Sequence, residues 1–451
     1  GLSASARPLP AAAVGRAPES ARATSASTTC PRVRLADNSS MFGVTSGPSG
    51  SARMCMKCAK AHAVPRPFRE VVVAATDLTP ATPPGIKAAL LTAALALPGL
   101  GTVAQAETAP ERGYVALKVL DYLDSQPGAD RIRVKAPALT ALVPVGDQWS
   151  VTGTLITDSI SGASPAYHSA AITPMHDFRR AVDASVTRYL PQGTWSLGAS
   201  HSKESDYLSR SLYGTVTRSN DSKNTTWNLG GGLTSDRINP NNHVVENETK
   251  DTVDLLAGVT QVMGINDIAQ INLGWSQSQG YLSDPYKVLD ERPRSRTRQT
   301  VQTRWNHHVD SLGTTERLAY RYFQDSWGIR AHTFDLEHVQ PLSEQWKATA
   351  ALRYHSQNAA RFYVESDGSS GPFGPSIPIG AAYYSLDQRL SAYGAVTWGL
   401  KLSHQWDANT AMDIKYEHYE QRGSWALGTA GSVNLLPFRA RSLQWGLTRW
   451  F

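Results

Sequence analysis

The sequence predicts an all-β chain: a transmembrane antiparallel β-barrel of about sixteen strands, preceded by a signal peptide. Three observations predict it. Apolar and polar residues alternate with period two, in segments of roughly 10 to 15 residues, from Tyr114 to Phe451. The connections between these segments are short and turn-rich at one set of positions and long at the other. The last segment, "RSLQWGLTRWF", is itself a strand that stops on Trp450 and Phe451.

Residues 1–80 are rich in Ala, Ser, Pro and Arg, without periodicity, and read as a leader outside the mature protein. The first 106 residues hold eleven Lys/Arg against four Asp/Glu, and the remainder 33 against 34. The net charge of +6 therefore belongs to the leader, and the nearly neutral remainder excludes nucleic acid as a partner. "CMKC" (Cys55, Cys58, with His62 nearby) has redox or zinc spacing, but one pair supplies only two thiolates and the only other cysteine is Cys30. It reads as incidental.

Residues 81–106 form the signal peptide. Lys87 precedes the apolar run Ala88 to Gly101, and "TVAQA" supplies small residues at Ala104 and Ala106, which makes Glu107 the expected mature N-terminus. The alternative is a buried core helix. All twelve Trp and all seventeen Tyr lie beyond this point, from Tyr114 onward. No apolar run reaches the roughly 20 residues of a membrane helix, and the mean hydropathy is −0.33. A barrel is the spanning structure compatible with both.

Residues 107–451 form the barrel. In "QWSVTGTLITD", Trp149, Val151 and Leu155 oppose Ser150, Thr152 and Thr154. "TERLAYRYFQ" sets Leu318, Tyr320 and Tyr322 against Arg317 and Arg321. "HTFDLEHV" sets Phe334 and Leu336 against Thr333, Asp335 and Glu337. "QWKATAALRYH" sets Ala348, Ala350, Leu352 and Tyr354 against Lys347, Thr349 and Arg353. "AMDIKYEHY" sets Met412, Ile414 and Tyr416 against Asp413, Lys415 and Glu417. A soluble sandwich also alternates, but its strands average about 5 to 6 residues, whereas a tilted spanning strand needs about 9 to 11. Short turns ("PVGD", "LPQG", "SNDSKN", "MGIND", "DSLG", "PLSEQ", "QWDANT") fall between longer or irregular connections at 158–176, 236–248, 281–294, 357–386 and 421–439, with shorter ones near 124–130, 204–206 and 325–329. That is the asymmetry of an outer-membrane barrel with periplasmic termini. Hydrocarbon tolerates no unpaired strand edge, so the last strand must zip to the first near Tyr114 to Leu120.

In the last strand Leu443, Trp445, Leu447 and Phe451 share one face, and the closing aromatic belongs at the bilayer boundary. The ending resembles the C-terminal signal read by the barrel-assembly machinery. Arg449 departs from it, at a cost of about 0–1 kcal/mol near the interface.

Several stretches resemble a proteobacterial outer-membrane family of unknown function, numbered 3570 among domains of unknown function. They are "LLTAALALPGLGTVAQAE", "YVALKVLDYLDSQPGADRIRVKAPAL", "YLSRSLYGTVTRSNDSKNTTWNLGGGLTSDRINP" and "QSQGYLSDPYKVLDERPRSRTRQT". The resemblance implies an outer-membrane barrel over nearly all of 107–451, with no assigned catalytic residues. It also implies a neighbouring small lipoprotein and an envelope redox setting.

Site chemistry is sparse. There is no phosphate-binding glycine loop and no G-x-S-x-G elbow, so no enzyme activity and no cofactor are expected. His307 and His308 are adjacent on a strand and point apart. His332, His338, His355 and His418 are candidates to line the lumen. "DRINPNNHVVENETKD" (236–251) is oxygen-rich but lacks the regular carboxylates of a Ca²⁺ loop. Arg292, Arg294, Arg296 and Arg298 are candidates to bind lipopolysaccharide phosphate or an anionic solute; the bland alternative is a solvated rim. Arg317, Arg321, Asp335, Glu337, Arg353, Asp413, Lys415 and Glu417 are expected to face the lumen, as are Arg179, Asp183, Arg298, Arg304 and Lys347. The leading expectation is a channel or transport conduit in the bacterial outer membrane. The alternatives are a scaffold for an envelope complex and, less favoured, a barrel hydrolase. Expected partners are outer-membrane lipid and lipopolysaccharide, the assembly machinery and a small lipoprotein.

Overall fold

The structure, a computed structural model, describes residues 108–451 except 128, 164–173, 288 and 366–378, together with the short strand pair 73–74 and 102–103. The cleavage-site residues Ala104, Ala106 and Glu107 and the cysteines lie outside the described residues.

Sixteen antiparallel strands close into a barrel. In chain order they are β1 Tyr114–Gln126, β2 Ala129–Val145, β3 Trp149–Ala163, β4 Pro174–Leu190, β5 Gly193–Lys203, β6 Tyr207–Ser219, β7 Thr225–Ile238 and β8 Glu248–Val262. The second half is β9 Asp267–Gly280, β10 Ser295–Val309, β11 Thr314–Asp325, β12 Arg330–Pro341, β13 Trp346–Gln357, β14 Tyr393–Asp407, β15 Thr410–Arg422 and β16 Phe438–Trp450. Every strand pairs with its sequence neighbours, and β16 closes on β1 from Trp450↔Tyr114 to Arg439↔Ser125. The Phe451 and Gly113 backbones extend the seam by two hydrogen bonds of 3.0 and 3.1 Å. Every strand's backbone groups thus find partners, the condition for crossing hydrocarbon. No helix among the described residues is long and apolar enough to cross a membrane.

The seven short turns, from 146–148 to 408–409, share one end with Gly113 and Phe451. The longer connections share the other, together with three short ones that follow Gln126, Lys203 and Asp325. Alternation sends one side chain of each neighbouring pair outward and the next inward. The outward set is apolar: Leu155, Leu197, Leu212, Leu229, Leu233, Leu255, Leu273 and Leu400 are all at least half exposed, with Leu212 at 61%. A continuous apolar belt of this extent calls for hydrocarbon as its solvent. Trp149, Trp195, Trp227, Trp305, Trp346 and Trp406 also point outward, all towards the turn end of their strands, and Phe451 joins them there. Trp149 and Trp195 meet edge-on at 5.4 Å. This is the aromatic girdle that sits at a membrane interface.

Leu443, Trp445, Leu447 and Phe451 fall on this outward face of β16. Arg449 lies among them and hydrogen-bonds Asp407 and Thr410 at the adjacent turn, which keeps its charge at the polar boundary.

Candidate functional site

The barrel interior concentrates the polar chemistry. Its walls differ. The inward positions of β4 to β9 are dominated by hydroxyls and amides: Ser185, Thr187, Thr194, Ser196, Ser200, Ser211, Thr215, Thr217, Asn228, Thr234, Thr252, Gln270, Asn272, Ser276 and Ser278. Many pair across strands, as in Thr252–Ser278 at 2.9 Å. Two ionic contacts interrupt this wall, Arg179–Asp158 at 2.7 Å and Lys250–Asp236 at 2.7 Å. Asp183 accepts a hydrogen bond from Tyr213 Oη at 2.8 Å.

The wall from β10 to β15, continued by β1, is charged and rich in cations. Arg304, Arg317, Arg321, Asp335, Glu337, Lys347, Arg353, Lys401, Asp413, Lys415 and Glu417 all occupy inward positions, joined by Lys118 on β1. Neighbours are matched in sign at several places. Arg317 meets Glu337 at 3.3 Å, Arg353 is hydrogen-bonded to Asp335, and Lys415 meets Glu417 at 2.8 Å.

The histidines divide differently from the sequence expectation. Of the four lumen candidates, only His355 projects inward, with Nδ1 2.9 Å from Thr333 Oγ1. His332, His338 and His418 face outward, because they share a parity with the apolar Phe334, Leu336 and Ile414 of their own strands. Aromatic neighbours there accommodate the imidazole: His332 Nδ1 lies 2.8 Å from Tyr320 Oη, and His418 packs beside Trp398.

At the loop end the interior is narrowed. Leu390 is wholly buried, in one apolar cluster with the inward side chains Phe323 and Ala331 and with Trp327, Ile329 and Ala360. Gln357, also inward, donates to the carbonyls of Arg389 and Ser391. The 281–294 and 358–392 loops are fastened together by ions. Asp387 accepts from Arg292 Nη2 at 2.8 Å and from Arg389 Nε at 2.7 Å, with Lys287 Nζ at 3.8 Å; Arg389 also reaches Asp284 at 2.9 Å. Burial alone would raise the Asp387 carboxyl, but Arg389, Lys287 and Arg292 hold it well below the usual aspartate range. The network extends sideways. Tyr286 binds Asp206, Asn242 donates to the Pro285 carbonyl, and Ala392 is bonded both ways to Ser432. Five connections thus form one cap.

This cap absorbs the arginine run. Arg292 is buried against Asp290 and Asp387. Arg296 is buried against Asp325 and stacks on Trp327 at 4.0 Å. Arg298 is buried inside the barrel and donates to Ser276 and Ser278. Arg294 alone is exposed, and it too holds a carboxylate, Glu248, through two nitrogens. The 236–251 stretch spans the end of β7, a loop and the start of β8. One trio among the described residues, Asp177, Glu204 and Asp206, brings carboxylate oxygens within 4.8 Å of one another; the sequence reading did not single it out, because its members come from one strand and a separate loop.

No curated protein matches the chain. Solved structures similar in fold include OccD3 (OpdP) of Pseudomonas aeruginosa, at 9% identity over 76% of this chain and 92% of that one, TM-score 0.39. OpdK with vanillate, from the same organism, is 11% identical over 76% of this chain and 100% of that one, TM-score 0.38. The siderophore receptor PirA of Pseudomonas aeruginosa is 12% identical over 75% of this chain and 63% of that one, TM-score 0.37. At such identities the likeness is one of outer-membrane barrel fold. A family model matches residues 87–174, 166–249 and 241–444, from ahead of β1 into β16, and the chain belongs to that family, described as "Protein of unknown function (DUF3570)".

Proposed function

We propose that the chain is a channel or transport conduit of the bacterial outer membrane, which moves a small solute without converting it. The observation that carries this reading is the interior. A wall of hydroxyls and amides faces a wall of charges, and a lumen surface of this kind is compatible with water and solute but not with a dry core. The ion-locked loops narrow the loop-side mouth, which suits size selection at the outer surface. The test is single-channel conductance of the folded full chain in planar bilayers, with folding verified by heat-modifiable gel migration and location by membrane fractionation. Discrete conductance steps are expected; silence from correctly folded protein would overturn the reading.

A second reading, a scaffold for an envelope complex, is favoured by the fusion of five connections into one cap, which offers a firm docking platform. Co-purification of a small lipoprotein with a barrel that conducts nothing would select it.

A further inference from the structure

The arginines of the 292–298 run are occupied by the cap and the barrel, but the outer surface of the loop end holds other cations that no carboxylate claims. Arg180 on β4, Lys203 on β5, Arg210 on β6 and Arg237 on β7 stand on four neighbouring strands, point outward and are exposed. One rung of outward positions runs Arg180, Lys203, Leu208, Arg237. Arg210 is one rung nearer the turns, between His201 and Ser235, and so diagonal to both Lys203 and Arg237. The row covers three strand spacings of about 4.8 Å, roughly 14 Å. Just below it lies the barest part of the apolar belt, where Leu197, Leu212, Leu229 and Leu233 are 59 to 61% exposed.

None of the four cations makes an ion pair or a side-chain hydrogen bond among the described residues; Arg180 lies over the Phe178 ring at 5.2 Å. At the same end of the barrel, Arg133 and Arg439 are held by Asp121 and Glu420, at 2.6 and 3.3 Å. A lone cation at this height reaches water along its own stem at little cost. Arg180 and Lys203, however, are direct cross-strand partners, and like charges so placed destabilise a sheet. Carboxylates are near but face elsewhere. Glu204 and Asp206 are buried, Asp206 takes the Tyr286 hydroxyl, and Asp177 takes Ser205 Oγ at 2.9 Å. Asp251, outward on β8, shares the Arg210 rung with Ser235 between them. Four cations and four carboxylates balance in number, so what sets the surface apart is that its cations are turned to the lipid and most of its carboxylates to the loops. A cleft of about 580 Å³ opens beside the row, where Phe178, Arg180 and Lys203 meet Asp177, Glu204 and two serines, Ser159 and Ser205.

We propose that the outward loop-end face of β4 to β7 binds a phosphorylated glycolipid of the outer leaflet, the lipid A part of lipopolysaccharide. Its phosphates lie on Arg180, Lys203, Arg210 and Arg237, which donate charge-assisted hydrogen bonds and lose their mutual repulsion. Its sugar hydroxyls donate to the carboxylates and serines of the cleft, groups that a bare phosphate would not use. Its acyl chains cover the exposed leucines. The site requires the loop end to face outward and is independent of whether the barrel conducts.

The test is native mass spectrometry of the folded full chain in detergent, with folding checked by heat-modifiable migration. Lipid A, the same lipid without its phosphates, phosphatidylglycerol and inorganic phosphate are each titrated, and bound molecules are counted. Saturable lipid A binding is expected. It should weaken roughly tenfold or more when the phosphates are removed, and by as much in R180Q/K203Q/R210Q/R237Q, the loss of at least one charge-assisted hydrogen bond. The milder K203Q/R210Q pair should weaken it in the same direction and serves if the fourfold variant does not fold. R330Q/R441Q, which removes two exposed outward arginines of β12 and β16, should leave it unchanged. Absence of lipid A binding, equal binding by the natural chain and the row variants, or an equal loss in R330Q/R441Q overturns the site. Equal affinity for the dephosphorylated lipid or for phosphatidylglycerol overturns the phosphorylated glycolipid as its occupant, and inorganic phosphate bound as firmly as lipid A overturns the lipid surface.

Discussion

Gly198 and Tyr213 face each other across β5 and β6, and the tyrosine ring fills the space a Cβ on Gly198 would need, at 2.4 Å. The ring lies flat over the strand and its hydroxyl reaches Asp183. Gly198→Ala is expected to push the ring away and leave Asp183 without its donor. The cost should be about 1–3 kcal/mol, read from urea unfolding in detergent; unchanged stability would show that the ring has another place to go. Asp387 makes the opposite case, an ion at the centre of three cations. Asp387→Asn removes the anion and leaves Arg292, Arg389 and Lys287 buried together, an expected loss of about 3–5 kcal/mol concentrated in the cap. Protease cleavage within the 358–392 loop should accelerate strongly while the barrel stays resistant. The carboxyl's folded pKa lies below the ordinary 3.8, so its contribution is fully present above about pH 4 and is lost as pH falls through the folded value. Cap protection should therefore persist from pH 7 to pH 5 and fail only in stronger acid.

Among elements, the lipid-facing strands carry a basic row that the sequence did not single out. Arg180, Lys203, Arg210 and Arg237, on β4, β5, β6 and β7, point outward at the loop end and are exposed. They stand just beyond the apolar Val182, Leu212 and Leu233, the height of a lipid phosphate. Replacing these four with Gln should reduce the phosphate-bearing lipid that remains on the purified protein, measured by mass spectrometry. Replacing Arg292, Arg296 and Arg298 should loosen the cap and leave lipid retention unchanged. Equal retention in both variants would remove the role proposed for the row. The closing seam is the other element with a clear test. Removing Phe451 deletes two backbone hydrogen bonds to Gly113 and the last residue of the outward face of β16. Less heat-modifiable, membrane-inserted protein should accumulate; full assembly would separate this face from recognition by the assembly machinery.

For the whole molecule, a permanent barrel is joined to a cap held by buried ions. The barrel's stability comes from a closed ladder with no edge and from an apolar belt, each outward Leu contributing about 1.5–3 kcal/mol when covered by hydrocarbon. The cap depends on a few side chains, so it is the part that a single substitution can release. Asp387→Asn is expected to raise conductance if the cap restricts the mouth, and bilayer recordings beside the natural chain would decide.

Period two determined the outward belt and the inward placement of Arg317, Asp335, Glu337, Arg353, Asp413 and Lys415, and together with turn residues and connection lengths it gave about sixteen strands and the side on which the long loops lie. These were legible because parity is a local property, set by the two-residue repeat of an extended backbone. His332, His338 and His418 were misassigned as inward candidates by polarity, though parity with Phe334, Leu336 and Ile414 already placed them outside. Register and loop docking were decided only in three dimensions. The turn at 408–409 sets Lys401 against Lys415, barrel closure carries Lys118 beside Asp413 from the far end of the chain, and Arg292 meets Asp387 across 95 positions. Such meetings depend on turn length, strand stagger and the folding of loops onto the mouth. Alternation along one strand carries no trace of those distances.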